Sequence, residues 1–193
     1  MASGDTLGVL SATDNKPPAA TFATLDSRAG GSTPAENLCV LDFDTTTQEY
    51  ADFLFELPNN YAGGGLTVTI VWMATTATSG EVVWAAAFRR LVDDAEDIDA
   101  SHTYDYNSIG AGATAPSLSG EQGYDNITFT DGADMDSLAT GEFAILRISR
   151  DTADADDDMA GDAELITTKI TTTKRRKQVP WVMGVFFRAS AVQ

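Results

Sequence analysis

Residues 66–75 place Leu66, Val68, Ile70, Trp72 and Ala74 at every second position, against Thr67, Thr69, Val71, Met73 and Thr75. A period of two separates apolar from polar side chains only when the backbone is extended, so this segment is a strand with one face in a core. The alternation resumes at residues 81–90, where Val82, Trp84, Ala86 and Phe88 face away from Val83, Ala85, Ala87 and Arg89. Thr78, Ser79 and Gly80 lie between the two runs and predict a turn, so the pair is expected to form an antiparallel hairpin. The Ala85-Ala86-Ala87 stretch is also compatible with a helix.

The same pattern recurs along the chain. Residues 38–43 read as a strand covered on both faces. In residues 49–57, Ala51, Phe53, Phe55 and Leu57 alternate with Tyr50, Asp52, Leu54 and Glu56. Further strands are expected over 124–130, with Ile127 and Phe129 buried, over 142–150, over 163–173 with Ile166, Thr168, Ile170 and Thr172 in phase, and over 180–188 around Trp181. Tyr104 and Tyr106 share a strand face, and residues 134–139 suit one helical turn. Many strands, long loops and almost no helical period predict an all-β, antiparallel β-sandwich of the jelly-roll kind, whose strand order spacing does not reveal. Residues 1–37, rich in Ala, Ser, Thr, Gly and Pro, read as an extended N-terminal arm that pairs with its own sheet or a neighbour's. Residues 38–193 read as the sandwich domain.

The 193 residues carry 29 Asp and Glu against 12 Lys and Arg, a formal charge of -17. Such a field repels phosphate backbones and anionic lipid surfaces, so neither nucleic acid nor membrane is expected as a partner. No residue run approaches a membrane span or a signal peptide. Cys39 is the single cysteine, so no intrachain disulfide forms, and its apolar setting marks it as a small core residue.

Catalytic signatures are missing from the sequence. His102 is the one histidine, no Gly-x-Ser-x-Gly elbow occurs, and Gly63-Gly64-Gly65 has no following Gly-Lys-Ser/Thr, so the chain is read as a non-enzyme without cofactors. Two acidic loops stand out: Asp93, Asp94, Glu96, Asp97 and Asp99 in one, and Asp154, Asp156, Asp157 and Asp158 in the other. Asp154, Asp156 and Asp158 are calcium candidates by their hard oxygen donors, yet Met159 and Leu165 occupy the positions where an EF-hand loop needs Gly and Glu. Solvated surface loops are the plainer reading of both clusters. Trp72, Trp84, Trp181 and Tyr61 could stack on sugar rings from an open sheet face, although aromatics in alternating strands belong mainly to cores. Lys174, Arg175, Arg176 and Lys177 oppose the charge of the whole molecule and, with Trp181, are expected to contact a partner or an adjacent copy.

The segments Leu41-Asp42-Phe43-Asp44, Tyr50 through Phe55, Leu66 through Ala74, Gly80 through Trp84 and Leu146 through Asp151 resemble small β-sandwich structural proteins of tailed-phage virions, over about residues 37–172. The resemblance implies a head decoration, or cement, protein on the outer head shell. Its partner would be the major capsid protein, its assembly a homotrimer, and its site of assembly the host cytoplasm. A carbohydrate- or receptor-binding module of a tail fibre, using Trp72 or Trp84, is the alternative.

Overall fold

The computed structural model describes residues 4–173. The contact candidates Lys174, Arg175, Arg176, Lys177 and Trp181, and the strand expected over 180–188, lie outside the described residues. In chain order the strands are β1 Thr6–Ser11, β2 Thr24–Ala29, β3 Asn37–Phe43, β4 Tyr50–Glu56, β5 Leu66–Ala74, β6 Glu81–Val82, β7 Trp84–Leu91, β8 Asn107–Ser108, β9 Ala113–Thr114, β10 Gly123–Phe129, β11 Phe143–Arg150 and β12 Ala163–Thr172. Helical structure among the described residues is limited to the short 3-10 turns Ala12–Asp14 and Ala133–Met135, the second overlapping the start of the helical turn expected over 134–139.

Two antiparallel sheets carry the fold. The larger runs β10-β5-β12-β3-β2, with β1 also on β12, and the smaller runs β4-β11-β7-β8. Taking β3, β4, β5, β7, β8, β10, β11 and β12 as eight successive strands, one sheet holds the first, eighth, third and sixth and the other the second, seventh, fourth and fifth. That order is the double Greek key of a jelly roll, so the chain is an all-β antiparallel β-sandwich of this kind.

The hairpin expected between residues 66–75 and 81–90 does not form: β5 lies in the larger sheet and β7 in the smaller. The connection crosses the sandwich because both runs have a bulky apolar face to bury, and facing each other buries both at once. Trp72 and Trp84 meet edge to face with ring centroids 5.9 Å apart, and Phe43 meets Trp84 at 5.1 Å. Phe88 joins Phe129 at 4.9 Å and Phe55 at 6.4 Å. Ala85, Ala86 and Ala87 are strand residues.

Two other expectations change for local reasons. A β-bulge between Leu165 and Thr167 shifts the phase of β12 by one residue. Ala163, Leu165 and Ile170 therefore face the main core, while Ile166 joins Val40, Val71 and Met73 in a small cluster on the opposite face. Cys39 is exposed, not a core residue. β12 covers β3 only from Leu41 to Phe43, so Cys39 pairs with Ser27 of β2 alone.

Residues 4–29 form a strap over both sheets. β1 pairs with β12 from Thr6 to Ser11. The chain then crosses to the edge of β4: Asp52 N–H donates to Asn15 Oδ1 at 3.0 Å, Lys16 N–H to Asp52 O at 2.7 Å, and Tyr50 N–H to Thr21 O at 3.0 Å. It returns as β2 to pair with β3. The strand-forming pieces of the arm are thus members of the chain's own larger sheet.

Candidate functional site

On the outer face of the smaller sheet, β4 contributes Tyr50, Asp52, Leu54 and Glu56, β11 contributes Phe143, Ile145, Arg147 and Ser149, and β7 contributes Ala85, Ala87, Arg89 and Leu91. The register sets them in ranks, with Asp52, Arg147 and Ala87 in one and Leu54, Ile145 and Arg89 in the next. Arg147 binds Asp52 through two parallel hydrogen bonds, Nε to Oδ1 at 2.7 Å and Nη2 to Oδ2 at 2.6 Å. Such a fork fixes the guanidinium plane.

Tyrosines gather on that plane. The Tyr104 ring lies 4.1 Å and the Tyr50 ring 5.3 Å from the Arg147 guanidinium carbon. Tyr104 and Tyr106 sit 5.9 Å apart with planes 35° from parallel, and His102 meets Tyr104 edge-on at 4.9 Å. None of the three tyrosines belongs to the core; all are half-buried. Burial holds the Tyr104 phenol above its ordinary range and pushes Tyr106 up to about 12, against the lowering pull of Arg147 in both cases. Burial disfavours the Arg147 cation, but its hydrogen bonds and charge pairing with Asp52 outweigh that and raise its pKa. The Tyr104 and Tyr106 phenols are therefore neutral at neutral pH, beside the Arg147–Asp52 ion pair. Exposed Leu54 and Phe143 extend the patch as an apolar margin.

The loop that carries Tyr104 and Tyr106 is anchored from below. Arg89 is 7% exposed and donates from Nη2 to the carbonyls of Asp97 at 2.8 Å and Ala100 at 3.4 Å. The acidic side chains of Asp93, Asp94, Glu96, Asp97 and Asp99 point outward and are exposed, as the sequence led one to expect of that loop.

The other acidic loop is different. Asp157 is not a solvated charge: its side chain is 1% exposed and grips fully buried Arg150, Oδ1 lying 2.7 Å from Nη2. Asp154 Oδ1 accepts the Asp156 N–H at 3.0 Å, and Asp158 Oδ1 accepts the Glu81 N–H at 2.8 Å. Among the described residues no three His, Cys, Asp or Glu side chains are grouped to hold a metal ion, and the calcium candidates Asp154, Asp156 and Asp158 are spent on loop backbone in this way or lie exposed.

Trp72 and Trp84, the sequence candidates for sugar stacking, are fully buried and unavailable to a ligand. Trp72 donates from Nε1 to Asp125 Oδ2 at 2.7 Å, a tie across the larger sheet. Tyr61 is half-buried, its hydroxyl accepting the Gly65 N–H at 2.8 Å and so bracing the glycine turn. The strand expected to carry Tyr104 and Tyr106 on one face does not form, since residues 101–106 are loop, and sequence reasoning missed Tyr50 and the Asp52–Arg147 pair, which only the β4–β11 register brings together.

No family model and no curated protein matches the chain. Among solved structures it is similar to the CBM22-1 xylan-binding domain from Paenibacillus barcinonensis Xyn10C, at 10% identity and a TM-score of 0.48, covering 88% of this chain and 95% of that one. It is also similar to the carbohydrate-binding module CBM6cm-2 from Cellvibrio mixtus lichenase 5A, at 8% identity and a TM-score of 0.44, covering 88% and 100%. The C-terminal CBM6 of LamC, a laminarinase from Zobellia galactanivorans, gives 10% identity, a TM-score of 0.39, and coverage of 87% and 100%. Likeness this distant carries no argument about ligand or site, and no virion protein is among these three.

Proposed function

We propose that the chain is a non-catalytic binding domain that takes a saccharide chain on the outer face of its smaller sheet. The observation that supports this is the placing of the Tyr50 and Tyr104 rings against a locked Arg147–Asp52 pair, with Tyr106 beside Tyr104. Half-buried phenol rings offer apolar faces to the C–H side of a pyranose, and their hydroxyls, with the remaining donors of Arg147, suit its equatorial hydroxyls. The test is isothermal titration of the protein against a panel of soluble polysaccharides. Binding that falls about ten-fold in Tyr104→Ala and in Tyr106→Ala is expected, since each stacking contact contributes about 1 kcal/mol plus lost contact area. Absence of binding across the panel counts against the reading.

A protein-surface reading is favoured by one observation: Leu54 and Phe143, 50% and 47% exposed, lie diagonally across the β4–β11 pair, Leu54 opposite Ile145 and Phe143 opposite Glu56. An apolar margin of this kind fits a protein partner, and the phage head shell, with trimeric self-association, is the partner the sequence resemblance implies. Co-sedimentation with empty heads that is lost in Leu54→Lys or Phe143→Lys, and weakened when Lys174, Arg175, Arg176 and Lys177 become glutamate, would favour decoration over saccharide binding.

A further inference from the structure

We infer that Arg89 is the positioning residue of this binding surface: by holding the carbonyls of Asp97 and Ala100 from beneath, it keeps the loop after β7 closed on the sheet and so sets Tyr104 and Tyr106 over Arg147. This rests on the reading of that face as the ligand surface.

Four observations lead there. Arg89 is almost wholly buried in a protein with a large excess of carboxylates, yet none lies within ion-pair reach of it among the described residues. Its Nη2 instead donates to two backbone carbonyls three residues apart in the loop. Both bonds leave the one terminal nitrogen Nη2, at the far end of a side chain longer than that of lysine. The positive charge of Arg89 is also near enough to Tyr104 to pull its phenol downward, so the anchor lies close to the platform. Finally, residues 101–106 form no strand, and the loop meets the sheet's own ladder only at β8, Asn107–Ser108. A segment without ladder bonds needs another tether to hold two aromatic rings in place. A guanidinium buried without a carboxylate is costly; the loop carbonyls take up its Nη2, while Nε is buried without a partner, so these two bonds are what the burial is spent on.

The consequence has a sign that separates positioning from simple electrostatics. The Tyr104 and Tyr106 phenols titrate high because they are buried, while Arg89 by its charge lowers Tyr104. If Arg89 holds the loop down, its loss uncovers both rings and both phenols fall towards the ordinary value of 10.0. If Arg89 were only a nearby charge, its loss would leave the rings covered and Tyr104 would titrate higher still.

The experiment follows the tyrosine ring carbons by NMR through a pH titration of the intact chain, in wild type, Arg89→Met and Arg89→Lys, with the emission of buried Trp72 and Trp84 as the check that the sandwich is folded. The expected result is a fall of both phenols in Arg89→Met, and a smaller fall in Arg89→Lys, where the charge is kept and only the reach to the loop carbonyls is shortened. Saccharide affinity, where wild type binds, drops about ten-fold in Arg89→Met. Phenols that rise or stay in place in both variants overturn the inference, whatever the wild-type protein binds. Failure of wild type to bind any saccharide overturns the functional reading instead, and leaves the loop measurement standing.

Discussion

Arg150 and Asp157 form a fully buried ion pair at the rim of the sandwich, and both are also tied to backbone. Arg150 donates from Nη1 to Gly161 O and from Nη2 to Met159 O, each at 2.8 Å. Asp157 Oδ2 accepts the Val83 N–H at 2.9 Å, and the Val83 carbonyl accepts the Asp151 N–H at 2.8 Å. The pair therefore sews the loop between β11 and β12 to the break between β6 and β7.

Breaking one half strands the other in a dry site. Arg150→Met or Asp157→Asn should each lower stability by about 3–5 kcal/mol, read as a shift in urea midpoint at constant slope. The double variant should lose clearly less than the sum of the two. Additive losses would mean that the pair is not coupled.

Asp42 sets a pH dependence. Burial, reinforced by Glu164, Asp26 and Asp162 and opposed by Arg28, pushes its carboxyl from 3.8 up to about 6. Between those values the unfolded chain has released a proton that the folded chain still holds, so this group makes stability fall as pH rises through the window and level off above it. Asp42→Asn should remove that slope and be about 1–2 kcal/mol more stable at pH 7 after screening is allowed for. Urea midpoints of both proteins from pH 3.5 to 7.5, roughly spanning the window, check the sign.

Removal of residues 1–16 should destabilise the domain itself. Ala12 is buried, Leu7 and Leu10 pack on the core, and β1 supplies the pairing of β12 from Thr167 to Thr171. The burial alone contributes about 3 kcal/mol. A truncated protein with an unchanged melting curve would show that the strap carries no stability.

Cys39 should react with a bulky disulfide reagent at the rate of a free thiol in the native protein, because it is exposed on the overhanging half of β3. A reaction that waits for denaturant would put it back in the interior.

How far the sequence discloses this molecule depends on what each residue's signal reports. Period-two alternation gave the inward faces of β4, β5 and β7 correctly, because burial of Ala51, Phe53, Ile70, Trp72 and Phe88 is decided along a single strand. It could not tell that β5 and β7 lie in opposite sheets, since a turn and a crossover look alike in Thr78-Ser79-Gly80. The bulge at Ile166 left no mark in composition. The binding face was only half legible: Tyr104 and Tyr106 are two residues apart, whereas Asp52 and Arg147 are 95 residues apart and meet through strand register. Asp157 was invisible among its neighbours, as one buried carboxylate in an acidic run has the same letters as a solvated one.

The strap has a bearing on how a nascent chain acquires its shape. β1 pairs with β12, so hydrogen bonds join residues near Leu10 to residues near Thr168, and β12 is also the central strand between β5 and β3. Until that late strand leaves the ribosome, the larger sheet lacks its middle and the earliest strand lacks a partner. Assembly of the larger sheet therefore waits for β12, and its rate should be slow, as befits a topology dominated by contacts between distant parts of the chain.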